Sequence, residues 1–352
     1  MLDQIKASAG IAIRLFAAAF MGLALIAATP APLAAQESIR IKLATLAPRG
    51  TSPHKILEAM GQKWQTTSNG RVVLTIYPDG VMGGEAETVR RMRMGQLQAA
   101  MLTVNGLAEI DPSVKALQNM PFVFRSLDEV AEVRQELRVD IEKRFLDKGF
   151  VVLFWGDAGW VRWFSRRPVV HPDDLKKMKI FTLAGDPQQV DLMKGLGLQP
   201  VPLPADAILM GLQTGMIDAV PLPPFYARAG QISGPAPYML ELNYAPMVGG
   251  VVITKKAWDA IPPEFHPALL EAVRTTEEQM TGHNRAESDE SVEAMKKRGL
   301  KIQPALPGLE AEWRQFAEPA FPTLRGTLVP ADTFDQVQTI LRDYRAKGGR
   351  GQ

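Results

Sequence analysis

Two hydrophobic periods take turns along this chain. Ile39–Leu43 alternates apolar with basic residues, which predicts a strand with one buried face. Thr51-Ser52-Pro53 then reads as a hydroxyl cap with proline in the first turn. Ile56, Leu57, Met60 and Trp64 follow as the apolar stripe of a helix. Asn69-Gly70 turns the chain into a strand over Arg71–Tyr77, and Pro78–Gly84 is a glycine-rich loop. A helix over Glu85–Met94 comes next, with Val89 and Met92 inward, then a strand over Gln98–Val104. Ser126, with Asp128 and Glu129 just behind it, caps a helix whose inward residues are Val130, Val133, Leu137, Ile141 and Phe145. Strands and helices alternating in this way predict a largely parallel α/β sheet.

The stretch Phe150–Asp186 is the centre of the pattern. Val151–Trp155 is an unbroken apolar run, as in a strand buried on both faces. Gly156, Asp157 and Gly159 interrupt it, and the aromatics Trp160, Trp163 and Phe164 follow. A polar turn at Pro172-Asp173-Asp174 then leads to a short strand over Met178–Leu183. A strand ending in glycines and aromatics fits a ligand crevice at the carboxyl end of a sheet. It equally fits a core strand with tryptophans beside it.

Further on, a helix around Pro187–Gly195 precedes an extended Leu198–Leu203. A helix over Ala205–Thr214 closes at Gly215 in a left-handed conformation, and Met247–Thr254 is another buried strand. From Pro263 to Arg298 the pattern is helical, with Leu269, Leu270, Val273, Met280, Val292 and Met295 on its apolar side. About 30 residues at roughly 1.5 Å each give about 45 Å, longer than one small domain, so this helix is expected to brace two lobes. The last helices fall near Gly308–Ala317 and Thr333–Arg345.

The first 35 residues read differently. Lys6 and Arg14 precede the apolar run Leu15–Ala28, and small residues up to Ala35 offer a cleavage site, the pattern of a secretory signal peptide over 1–35. The run reaches spanning length only by including Pro30 and Pro32, which argues against a membrane anchor. The protein is therefore expected in the periplasm, soluble after cleavage.

Composition removes several classes of function. The 352 residues are 46% hydrophobic and 22% charged, enough for two domains, and a net charge of +2 gives no case for nucleic acid. With no cysteine there is no disulfide, thiolate metal site or cysteine nucleophile. His54, His171, His266 and His283 never fall at helical metal-site spacing. Gly83-Gly84 lacks the lysine and hydroxyl of a phosphate loop, and the Arg90, Arg91, Arg93 cluster reads as the wet face of its helix. No nucleophile elbow, zinc-protease motif or dinucleotide fingerprint is present, so neither an enzyme nor a cofactor is expected.

Four stretches carry a family resemblance. Ser68–Gly84 (SNGRVVLTIYPDGVMGG), Asn119–Ser126 (NMPFVFRS), Pro172–Lys179 (PDDLKKMK) and Gly211–Asp218 (GLQTGMID) resemble, in order, the signature blocks of DctP-type solute-binding proteins of TRAP transporters. The resemblance spans essentially the whole chain after residue 35. It implies a two-lobe periplasmic binding protein fold, each lobe a mostly parallel sheet flanked by helices, with one long helix bridging both. The implied lobes are 36–160 plus 249–280 and 161–248 plus 281–352. Implied partners are a small-molecule ligand and two membrane subunits, a small DctQ-type and a large DctM-type. A sensor role in signalling remains an alternative. Some members pair as homodimers, and no stretch here marks such an interface.

Departures from the family pattern bear on the ligand. Relatives of this kind hold carboxylates with an arginine ending the strand after the PDDLKKMK-like block; that position is Phe181 here. A second arginine position falls on Val161, with Arg162 adjacent and expected to point the other way. An asparagine position falls on Leu222, and one that is acidic in some members falls on Thr103. The resemblance thus implies a ligand site drawn from Leu46, Glu85, Thr103, Trp155, Trp160, Val161, Arg162, Phe181, Leu222 and Tyr226. Apolar residues in place of arginines predict a neutral, apolar or aromatic ligand, since an unpartnered enclosed carboxylate costs several kcal/mol. The alternative is a carboxylate held from a new direction by Arg162 or Arg49.

Overall fold

A computed structural model describes residues 38–349, apart from the side chains of 283–285; the expected signal peptide lies outside the described residues. In chain order the elements begin with β1 (Ile39–Thr45), α1 (Ser52–Thr67), β2 (Val72–Tyr77), α2 (Glu85–Arg93), β3 (Ala99–Thr103) and α3 (Val104–Ala108). A 3₁₀ segment, Pro112–Leu117, leads to α4 (Leu127–Asp147), β4 (Phe150–Ser165), α5 (Pro172–Lys176), β5 (Lys179–Leu183) and α6 (Pro187–Gly195). Next come β6 (Gln199–Leu203), α7 (Ile208–Thr214), β7 (Ala219–Leu222), α8 (Pro224–Ala229), β8 (Tyr238–Thr254) and α9 (Lys255–Asp259). The chain ends with α10 (His266–Lys296), β9 (Lys301–Pro304), α11 (Leu309–Ala317) and α12 (Ala331–Ala346).

Local signals explain most boundaries. Ser126 caps α4 by accepting from Glu129 N at 3.2 Å, and Asp128 and Glu129 occupy its first turn. Gly215 ends α7 at φ 73°. Thr51 behaves otherwise: its hydroxyl donates to Pro48 O at 2.6 Å and does not cap α1. The Pro172-Asp173-Asp174 turn is the first turn of α5, held by Asp174 accepting from His171 N at 3.0 Å.

The strands run in the order β2-β1-β3-β8-β4-β7-β5-β6, with β9 beside the early part of β8. Parallel trios form at each end, β2-β1-β3 and β7-β5-β6. The long strands β4 and β8 join them, pairing antiparallel with each other and with one trio each. Sequence reading breaks β4 at Gly156–Gly159, but the strand runs on to Ser165 and absorbs the glycines in shifts of register between Asp157 and Trp160. A bulge of this kind bends and twists a strand without ending it. The crossing between the two halves therefore sits at 157–160 of β4 and 246–249 of β8.

Each half has a core on both faces of its sheet. In the first half, one face packs Val89, Leu107, Val133, Ile141 and Phe145, and the other packs Leu43, Leu57, Trp64 and Ile253. In the second, Trp163, Leu175, Ile180 and Trp313 cover one face, and Phe164, Phe181, Ile217 and Val220 the other. Helix α10 enters two of these clusters. Leu269, Val273 and Met280 lie in the first half, and Val292 and Met295 in the second, so it is the brace that its length predicts.

The last helix returns to the first half. Phe334, Val337 and Leu341 of α12 pack in the same cluster as Val133 and Ile141 of α4, although the sequence division assigns 281–352 to the second lobe. Arg345 of α12 forks onto Glu129, with Nε donating to Oε1 and Nη2 to Oε2, both at 2.7 Å. Burial pushes the Glu129 carboxyl up, but Arg345 and the Arg125 N–H outweigh it and hold the group below its ordinary range.

Candidate ligand cleft

The parallel strands of the first half end in short turns that leave their last residues facing a cavity of about 70 Å³. Thr45, Leu46 and Ala47 at the end of β1 and Met101–Thr103 at the end of β3 form one wall. Gly156–Ala158 of β4 and Met247–Gly250 of β8 form the back, at the crossing between halves. Met280 of α10 and Tyr226 of α8 complete it, Tyr226 being the second half's contribution. The carboxyl ends of parallel strands are where open α/β folds bind ligands.

Two glycines make the close approaches. At Gly249 a Cβ would lie 2.6 Å from Leu102 O, so only glycine lets β8 run against β3 at the back of the cavity. At Gly106 a Cβ would lie 2.8 Å from Glu85 Cβ; its absence lets the first turn of α3 reach the Glu85 carboxylate. Glu85 accepts from Thr103 N (2.6 Å), Thr103 Oγ1 (2.6 Å) and Gly106 N (3.0 Å). Burial nonetheless pushes its carboxyl above the ordinary value, with these hydrogen bonds pulling the other way. Burial, reinforced by Glu85 and Glu287, also raises the Tyr226 phenol. Among the described residues, the ionisable ones lining the cavity, apart from Tyr226, are Glu85 and Asp157; the rest of that lining is mainly apolar.

Of the sequence-derived set, Leu46, Glu85, Thr103 and Tyr226 line this cavity and the other six do not. Trp155 is 1% exposed in the first-half core, and its Nε1 donates to Glu142 Oε1 at 3.0 Å. Trp160 packs against the same core. Val161 is buried opposite Ala245 of β8. Phe181 is buried in the second-half core with Ile208 and Ile217, and Leu222 packs against that core.

Arg162 faces away from Val161, as alternation along a strand requires, and this puts it on the side of Phe181. It pairs directly opposite Leu222 and shares the face of Phe164, two residues on, which packs in the cluster of Phe181. It therefore lies on the Phe181 side of the sheet, and Val161 lies on the other. Its Nε is buried without a hydrogen-bond partner. Burial lowers the guanidinium from its ordinary value, opposed by the charges of Glu241 and Asp289. Arg49 is exposed beside Asp79 at 3.8 Å and does not line the cavity.

Sequence reasoning missed Met101, Phe154, Asp157, Met247 and Met280 as lining residues. The methionines and Phe154 sit where strand and helix periodicity reads them as core. Asp157 carries the usable signal, a carboxylate between two glycines at the crossing of β4. Among the described residues, no group of three or more His, Asp or Glu side chains is placed to hold a metal, and no helix is long and apolar enough to cross a membrane. His54 accepts from Gly50 N, His266 stacks on Trp258 and His171 meets Glu312, so these three serve local structure.

Two α/β lobes joined by paired strands, braced by one helix and enclosing a cleft at strand ends, define a solute-binding protein of the two-lobe class. The chain belongs to the DctP family, bacterial extracellular solute-binding protein family 7, whose profile matches residues 43–324. It is 27% identical over 261 residues to the 2,3-diketo-L-gulonate-binding periplasmic protein YiaO of Escherichia coli, covering 71% of this chain and 76% of that protein. It is 22% identical over 274 residues to the C4-dicarboxylate-binding periplasmic protein DctP of Rhodobacter capsulatus, covering 77% and 81%. Among solved structures, a TRAP solute-binding protein of Sulfurospirillum deleyianum with bound succinate matches at TM-score 0.79 and 20% identity, covering 86% of this chain and all of that one. Another, from Pseudomonas putida with bound D-glucuronate, matches at TM-score 0.74 and 24% identity, covering 85% and 96%. The chain is accordingly a bacterial extracellular solute-binding protein, a receptor and not an enzyme.

Proposed function

We propose that this receptor works in the periplasm, after removal of residues 1–35, and captures a neutral ligand with an apolar or aromatic body. It delivers that ligand to a small DctQ-type and a large DctM-type membrane subunit. The lining of the cavity carries this reading: Met101, Phe154, Met247 and Met280 offer apolar surface, and the acidic residues of the described lining are Glu85 and Asp157. Burying about 100–150 Å² of apolar ligand surface contributes about 3 kcal/mol at about 25 cal/mol per Å². An enclosed anion beside two carboxylates instead costs several kcal/mol. The lobes are proposed to part about 157–160 and 246–249, admitting ligand between them.

A second reading is favoured by Arg162, a cation on the Phe181 side of the sheet with an unpartnered buried Nε. The structural neighbours named above hold D-glucuronate and succinate. In this reading Arg162 grips a ligand carboxylate as the lobes close. Calorimetry with D-glucuronate, succinate and 2-oxo acids against aromatic and lipid-like compounds separates the two. Micromolar or tighter binding of a carboxylate, abolished by Arg162→Ala, overturns the neutral-ligand proposal and leaves the receptor assignment standing. Native mass spectrometry of the protein purified from periplasm would identify the retained compound directly.

A further inference from the structure

The two lobes meet a second time on the sheet face opposite α10. Lys115 belongs to the 3₁₀ segment Pro112–Leu117, whose Val114, Ala116 and Leu117 are part of the first-lobe core. Its Nζ lies 3.0 Å from Asp186 Oδ2 and 3.4 Å from Gln188 Oε1. Asp186 is the N-cap of α6, a helix of the second lobe, and its other oxygen accepts from Gln189 N at 3.1 Å. One carboxylate thus closes a second-lobe helix and binds a first-lobe ammonium at the same time. Both side chains are largely withdrawn from water, at 9% and 13% exposure. Asn119 Nδ2 donates to Gln189 Oε1 at 3.4 Å beside the pair, and Leu192 of α6 and Leu196, which caps its end, pack against the first-lobe core.

We propose that Lys115–Asp186 is a strap that holds the lobes at a fixed separation before ligand arrives. A sheltered pair of this kind is weakly screened, and removing either partner leaves the other charge uncompensated. Parting the lobes here would wet both charges together. The strap therefore favours the lobe arrangement described above, and a ligand selecting that arrangement binds with less loss to the competing one. Only this consequence for affinity rests on the receptor reading; the strap is testable without any ligand.

The chain has no cysteine, so two introduced at Val139 of α4 and Met210 of α7, exposed at 76% and 68%, accept spin labels uniquely. Pulsed electron–electron resonance then reads the distance between lobes in the otherwise intact protein. Lys115→Met keeps the aliphatic stem, and Asp186→Asn keeps a helix-capping side chain while removing the charge. Each is expected to broaden the distance distribution and move its mean, with the double variant no further displaced than either single one. Lys115→Arg is expected to retain the parent distribution. Circular dichroism establishes folding, and Asp186→Asn carries the test should Lys115→Met fail to fold. A folded Asp186→Asn protein whose distribution superimposes on the parent overturns the strap.

Discussion

Replacing Arg345 by Met tests whether the last helix is part of the first lobe. The guanidinium makes two 2.7 Å bonds to Glu129, whose side chain is fully buried, and a third at 2.8 Å to Val123 O. Removing one partner of a buried pair typically costs about 3–5 kcal/mol, because the remaining charge stays unpaired. Arg345 is itself 27% exposed, so some solvent already screens the pair, and we expect about 2–3 kcal/mol. Urea denaturation followed by tryptophan fluorescence measures this loss. Glu129→Gln in the Arg345→Met background should cost less than Glu129→Gln alone, with a coupling of about 1 kcal/mol or more in the double-mutant cycle. The pH dependence has a definite sign. Glu129 titrates below its unfolded value of 4.5, so its contribution is present above pH 4.5 and is lost as pH falls through the lowered folded value. Arg345→Met should flatten that acid limb. A loss below about 0.5 kcal/mol, or additive single mutants, would refute the placement of α12 in the first-lobe core.

Gly249→Ala should destabilise by about 1–3 kcal/mol, the usual cost of forcing extra atoms into a packed site, since its Cβ meets the Leu102 carbonyl and neither strand has room to move; denaturant midpoints measure this. His171 should titrate above 6.5 by NMR, because its Nδ1 lies 2.8 Å from Glu312 Oε2, and Glu312→Gln should bring it back toward 6.5. The sign follows: any stability from that exposed contact is full below pH 6.5 and fades as pH rises through the elevated folded value.

Much of the fold is legible in the sequence because burial is periodic. The stripe Leu57, Met60, Trp64 of α1 and the Ser126 cap of α4 need no tertiary information, and the length of α10 alone implies two lobes. What fails is local chemistry that tertiary pairing overrides. Glycines at 156 and 159 read as a strand end, yet pairing with β8 carries β4 through them. The cleft is less legible still. The family resemblance leads one to expect Phe181 and Val161 at the ligand, but in this fold they are packed within the second lobe or against β8. The cavity takes its surface from residues such as Met101 and Met280, brought together by elements far apart in sequence. Arg162 needed the β4–β7 register, since a face is fixed only once one opposite pair is known.

The return of α12 to the first lobe makes the second lobe an insert, with the chain entering and leaving it an even number of times. A force applied across the two ends of the folded chain would therefore load the first lobe alone. A fusion partner or surface tether at residue 349 would ride on that body and not on its companion.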